Sequence, residues 1–255
     1  MNLNKEMSKS VAENPTGYIF LAAISMCYMA IMLCNAVLTN RYVGYDALFI
    51  LGGTLTSPFV FILNDIISEI YGYKIVKYLV IFGFASQTLF AILCEAAILA
   101  PHPTFFKEQA AYQYILGPSL LWINFSGCIA YLVANLVNSR IITRWKVLLK
   151  GKKFWLRSLG SSTFSEALYS FIAILMMEIQ SIPLKSVFKV MLVSYLIKVI
   201  YCLIFAGPSQ IFVNYIKKVT KIDVYDFPQD FTPFKYVSKK FGIKPSKKEF
   251  NTTYD

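Results

Sequence analysis

The chain has 255 residues, of which 56% are hydrophobic and only 15% charged, and its mean hydropathy is +0.54. That balance excludes an ordinary soluble domain and places the chain in a bilayer. A formal charge of +11 would suit a nucleic-acid partner, but its distribution along the chain assigns it to membrane topology instead.

A hydrocarbon core about 30 Å thick is crossed by about 20 mainly apolar helical residues, and six runs meet that need. They lie near 18–38, 47–67, 75–100, 120–137, 159–179 and 187–216. The first follows Lys5 and Lys9 as a secretory signal would. It is longer than a signal core of about 7–15 residues and no small-x-small cleavage site follows, so it is expected to be a retained helix. The second contains Gly52, Gly53, Thr54, Thr56, Ser57 and Pro58, a run that either packs the helix tightly or breaks it near mid-membrane. It closes on "NDIISEIYGYK", where Asp65 and Glu69 share a face and Lys74 follows at the boundary, a local ion-pair cluster or a gate.

After the third run comes "PHPTFFKEQAAYQYILGP", whose aromatic and polar mixture suits an interfacial or partly re-entrant stretch. On the fourth, Asn124, Tyr131, Asn135 and Asn138 recur on one helical face. Such amides either join helices or line a polar interior. The fifth carries Glu166 and the sixth Lys198, both several residues from either end of their spans. Ser194, Lys198 and Tyr201 form a polar stripe on the sixth, and Pro208 after Gly207 is expected to kink it. A charged side chain at the bilayer centre costs about 2.5–3.5 kcal/mol even on lenient scales, so Glu166 and Lys198 are the strongest functional candidates. Glu95 and Glu178 lie nearer the outer interface, within reach of headgroup water.

With the amino terminus in the cytosol, 20 of the 25 basic residues fall in inside segments and 4 outside, with Lys198 within a span. This asymmetry sets both termini in the cytosol. The expected organisation is a cytosolic segment 1–17, a six-helix transmembrane domain 18–216 and a basic cytosolic tail 217–255. The fold class is all-α. The five cysteines all fall within spans and none is spaced as CxxC, which suggests neither a disulfide framework nor a zinc site. There is no HExxH, no GxxxxGK and no histidine beside His102, so no enzyme and no cofactor is expected. Transporter, channel and membrane sensor remain open at this level.

Four stretches together resemble the putative vitamin uptake transporter family, also described as the queuosine precursor transporters. They are "NDIISEIYGYK", "GSSTFSEALYSFIAI", "YLIKVIYCLIFAGP" and "KIDVYDFPQDFTPF", in the family's order. The resemblance implies a six-helix inner-membrane carrier that imports deazaguanine bases for tRNA queuosine, with a proton as a possible coupling ion. Asp65, Glu69, Tyr71, Gly72 and Lys74 match the first motif, Glu166 the second, and Lys198 and Pro208 the third. The chain departs from the family at Tyr169, where aspartate is common. On this reading Glu166 accepts the adjacent N–H donors of the base edge and Lys198 balances it. Asn135 and Asn124 add hydrogen bonds, and Tyr169, Phe171 and Tyr195 stack on the ring. Asp65, Glu69 and Lys74 serve as gate or coupling groups. The alternative is a substrate-binding membrane subunit or sensor that needs a partner for transport.

Overall fold

The computed structural model describes residues 15–45, 48–148, 154–179 and 181–224. Most of the 1–17 segment and of the 217–255 tail, including most of "KIDVYDFPQDFTPF", lies outside the described residues.

Helix α1 (Pro15–Thr39) is followed by a hairpin, β1 (Tyr42–Tyr45) and β2 (Leu48–Leu51), then a 3-10 turn at Gly52–Leu55. Helices α2 (Ser57–Tyr71), α3 (Tyr73–Leu99), α4 (Gln109–Leu116), α5 (Pro118–Leu148), α6 (Phe154–Glu178) and α7 (Leu184–Thr220) complete the fold. Five helical segments among the described residues are long and apolar enough to cross a membrane. Apart from one antiparallel hairpin, the described residues form an all-α membrane protein.

The second expected span is not a continuous helix from residue 47. Its first part pairs as a hairpin with Tyr42 opposite Leu51, and α2 has only 15 residues, about 22 Å at 1.5 Å per residue. Gly52 and Gly53 explain the break. A Cβ on Gly52 would lie 2.5 Å from the Leu38 carbonyl oxygen, and one on Gly53 would strike the Thr39 hydroxyl. The backbone therefore approaches α1 where only glycine fits. Such irregular backbone is tolerated at membrane depth because it is buried in protein.

Though short, α2 is the central helix: 11 of its 15 residues are buried. Phe61, Ile67 and Ile70 pack with Tyr28 of α1, Val76 of α3, Tyr131 of α5 and Ile216 of α7 in the largest apolar cluster. Gly72, at φ 85°, makes the single-residue turn into α3, a conformation that glycine adopts without strain. The segment after α3 does contain the short helix α4, and α5 runs about three turns beyond the expected end of the fourth span.

The partition of side chains is that of a membrane protein. Met26, Phe82, Leu93, Leu203 and Ile211 face outward, while Asp65, Glu69, Arg157, Glu166 and Lys198 are buried. Phe171 is also exposed, so it does not stack at an interior site.

Candidate functional site

The buried polar groups gather where α2, α5, α6 and α7 meet. The serines of "RSLGSSTFSE" recur on α6 at helical spacing, so Arg157, Ser161, Ser162, Ser165 and Glu166 all turn inward. Small hydroxyl side chains let neighbouring helices come close, and they supply donors to the acids placed there.

At the first level, the Asp65 carboxylate accepts hydrogen bonds from Ser158 Oγ at 2.6 Å, Ser162 Oγ at 2.7 Å and Asn138 Nδ2 at 3.2 Å. One turn further along α2, Glu69 meets the Arg157 guanidinium at 3.4 Å and Lys217 Nζ at 2.9 Å. Lys217 in turn pairs with Asp223 at 2.8 Å. The expected neighbour of these acids, Lys74, stands exposed on α3, and the cations that reach Glu69 come from α6 and α7 instead. Lys74 is pulled away because Gly72 starts a new helix directly before it.

Arg157 and Lys217 were missed by the sequence reading, which counted them as loop and tail charges. Arg157 is fully buried, and Lys217 belongs to α7 rather than to a tail beginning at residue 217. The signal available was the i, i+4 step from Arg157 to Ser161 and on to Ser165, which puts the arginine on the polar stripe of the helix.

At the second level, Lys198 Nζ lies 3.2 Å from Glu166 Oε2, with the two side chains 3% and 0% exposed. The ammonium also donates to Ser170 Oγ at 2.9 Å and stands 4.5 Å above the Tyr169 ring centroid. Glu166 Oε1 is buried and accepts no hydrogen bond among the described residues. Of the expected substrate contacts, the fold thus unites Glu166, Lys198 and Tyr169. The Tyr169 ring abuts Phe61, which abuts Tyr131, at centroid distances of 5.4 Å and 5.1 Å.

The remaining candidates stand apart. Asn124 donates to Thr88 Oγ1 on α3 at 2.6 Å, a helix-joining contact. Asn135 is buried on α5, between Tyr131 of the aromatic group and Asn138 of the Asp65 cluster. Tyr195 is half-buried and makes no ring or hydrogen-bond contact with the Glu166–Lys198 pair among the described residues. Ser194 beside it accepts from Thr54 Oγ1 at 3.1 Å, tying α7 to the 3-10 turn.

At the opposite end from Glu69, the Tyr42 phenol on the hairpin donates to Glu178 Oε2 at 2.6 Å. Burial, with the neighbouring carboxylate, pushes that phenol above its ordinary pKa, so it remains a donor at neutral pH.

Residues 51–213 match the family described as putative vitamin uptake transporter. The chain belongs to that family. The matched stretch runs from the end of the hairpin into α7, and so takes in Asp65, Glu69, Arg157, Glu166 and Lys198. Comparison with curated proteins and with solved structures gave no match. In this member of the family, the buried ion pairs Arg157–Glu69 and Lys198–Glu166 each join two helices within the matched stretch.

Proposed function

We propose that the chain is an inner-membrane carrier that imports queuosine precursors, deazaguanine bases, for salvage into tRNA. Glu166 is the residue that reads the base. The observation that carries this reading is the buried Glu166–Lys198 pair, in which Glu166 Oε1 accepts no hydrogen bond among the described residues. A guanine-like edge presents adjacent N–H groups that one carboxylate accepts together. The Tyr169 ring beside the pair supplies a flat apolar surface for the heterocycle. Lys198 stands against the carboxylate and contacts the base carbonyl. Asn135, Asn124 and Tyr195 belong to this reading as outlying contacts that the carrier brings closer when substrate is bound.

Both termini lie in the cytosol, so the Glu69 end of the bundle is the inner one. Asp65, Glu69 and Lys74 mark the inner gate, and a proton exchanged at the Asp65 cluster is the proposed coupling ion. The chain works as a transporter and not as an enzyme, and it uses no cofactor.

The test is a strain that neither makes nor imports precursors, supplied with this chain and fed cyano deazaguanine, aminomethyl deazaguanine or queuine in turn. Queuosine returns to tRNA with at least one base and is lost with Glu166→Ala at equal membrane expression. Failure with all three bases despite good expression would refute the substrate. Uptake by the purified chain in liposomes separates a carrier from a binding subunit, which would bind the base without moving it.

A further inference from the structure

Three cavities lie in file through the bundle and share walls. The first opens at the Glu178 end and is about 390 Å³ in volume, with Asn40, Gln113 and Glu178 among its polar lining. The second, about 30 Å³, holds Asn35, Ser57 and Gln87. The third, about 20 Å³, holds Asp65, Ser158 and Ser162. Ile123 and Met177 border both the first and the second. Phe61 borders both the second and the third. The two inner spaces are about the size that holds a water molecule or two, so no heterocycle passes while the rings stay where they are.

We propose that this file is the translocation route and that Phe61 is its barrier. Phe61 is 3% exposed and closes the space between Tyr131 and Tyr169, both of which line the second cavity but not the third. Along α2 the order is Ser57, Phe61, Asp65, one turn apart, so the same helix presents a polar group to each cavity and the ring between them. Ser57 Oγ is buried with no hydrogen-bond partner among the described residues on the wall of the second cavity, a site prepared for a polar ligand rather than for packing. A ligand that displaces Phe61 also presses on Tyr169, over which the Lys198 ammonium sits. Passage is thereby felt at the Glu166–Lys198 pair. Just before α2 the chain is a 3-10 turn, so the helix bearing the barrier begins only one turn before the ring.

The proposal rests on the carrier reading, but its test needs no substrate. Cys202 already lines the third cavity and serves as a reporter once Cys27, Cys34, Cys94 and Cys128 are replaced by serine. Ser57→Cys, in a chain lacking Cys202 as well, reports the second. Sealed vesicles of both orientations are treated, in chloride-free buffer, with Ag+, a membrane-impermeant thiophilic ion about the size of a water molecule, and the thiols left free are then counted with a maleimide after denaturation. With Phe61 present, Cys202 reacts from the Glu69 side and Ser57→Cys from the Glu178 side. Phe61→Ala raises each rate from the opposite side about tenfold or more, since modification of a thiol follows its exposure.

Reaction of both thiols from a single side with Phe61 in place would overturn the proposal. So would opposite-side rates unmoved by Phe61→Ala in a monodisperse protein, or no reaction at either thiol from either side. Should Phe61→Ala not fold, the sidedness of the two thiols in the Phe61 protein decides alone. An intact labelling pattern with no uptake of any base would instead fault the substrate assignment.

Discussion

Replacing Lys198 by methionine keeps most of the side-chain volume and removes the cation from the middle of the bundle. Unit charges 3.2 Å apart attract by ~5 kcal/mol at an effective dielectric of about 20. Much of that attraction offsets the desolvation of the two groups, so the useful quantity is what happens when one is left behind. Breaking a buried pair from one side costs about 3–5 kcal/mol. Lys198→Met also surrenders the bond to Ser170 and the contact over Tyr169, which places it at the upper end. At about 2–4 °C per kcal/mol for a chain of this size, the melting temperature falls by ~6–20 °C. Glu166→Gln strands the ammonium instead and gives a smaller drop, because Ser170 and Tyr169 still hold it. The double variant Glu166→Gln/Lys198→Met leaves no charge and recovers at least ~2 kcal/mol of the summed loss, within the range of contacting residues. Melting followed by tryptophan fluorescence in detergent micelles measures all four proteins. Strictly additive shifts would show that the two groups are not coupled, and the assignment of a central ion pair would fall with that result.

Arg157→Ala removes one of the two cations that hold Glu69 and is expected to cost about 3–5 kcal/mol, read as lost monodispersity or a large melting shift, whereas Lys74→Ala stays within about 0.5 kcal/mol. Equal effects would contradict the pairing described. Ser158→Ala and Ser162→Ala each take a donor from Asp65 and should destabilise by about 1.5–3 kcal/mol; no change in chemical unfolding for either would mean the carboxylate does not depend on them. Gly52→Ala forces a methyl against the Leu38 carbonyl and is expected to cost about 1–3 kcal/mol, while Gly207→Ala, with open space around it, is expected to leave the melting temperature unchanged or raised.

Much of this arrangement is legible in the sequence, for a physical reason. A charge in mid-span has so few explanations that Glu166 and Lys198 stand out by position alone, and their pairing across α6 and α7 follows from the cost of leaving either one single. The helices α1, α3, α6 and α7 are legible because lipid demands a long apolar run. The second span departs from expectation because hydropathy does not distinguish a helix from an apolar strand such as Leu48–Leu51. What decides between them is the contact of Gly52 and Gly53 with α1, which is a tertiary fact. Arg157 was hidden by its neighbours: coming directly after a lysine-rich loop, it has the composition of a solvated charge, and only the burial of Glu69 on another helix draws it in. Lys217 was hidden in the same way by the lysines around it.

Helix α7 has 37 residues with Pro208 inside it, about 55 Å of helix against about 30 Å of hydrocarbon. Two of its ionic contacts fall on opposite sides of that proline: Lys198 grips α6 before it, and Lys217 grips α2 after it. The missing backbone donor at Pro208 weakens the rod between those two grips, and a Cβ added at Gly207 beside it would meet nothing within 4 Å. The helix is therefore built as two arms on a joint, each arm clamped to a different partner. A shift of α6 against α2 can bend α7 at its middle without releasing either clamp.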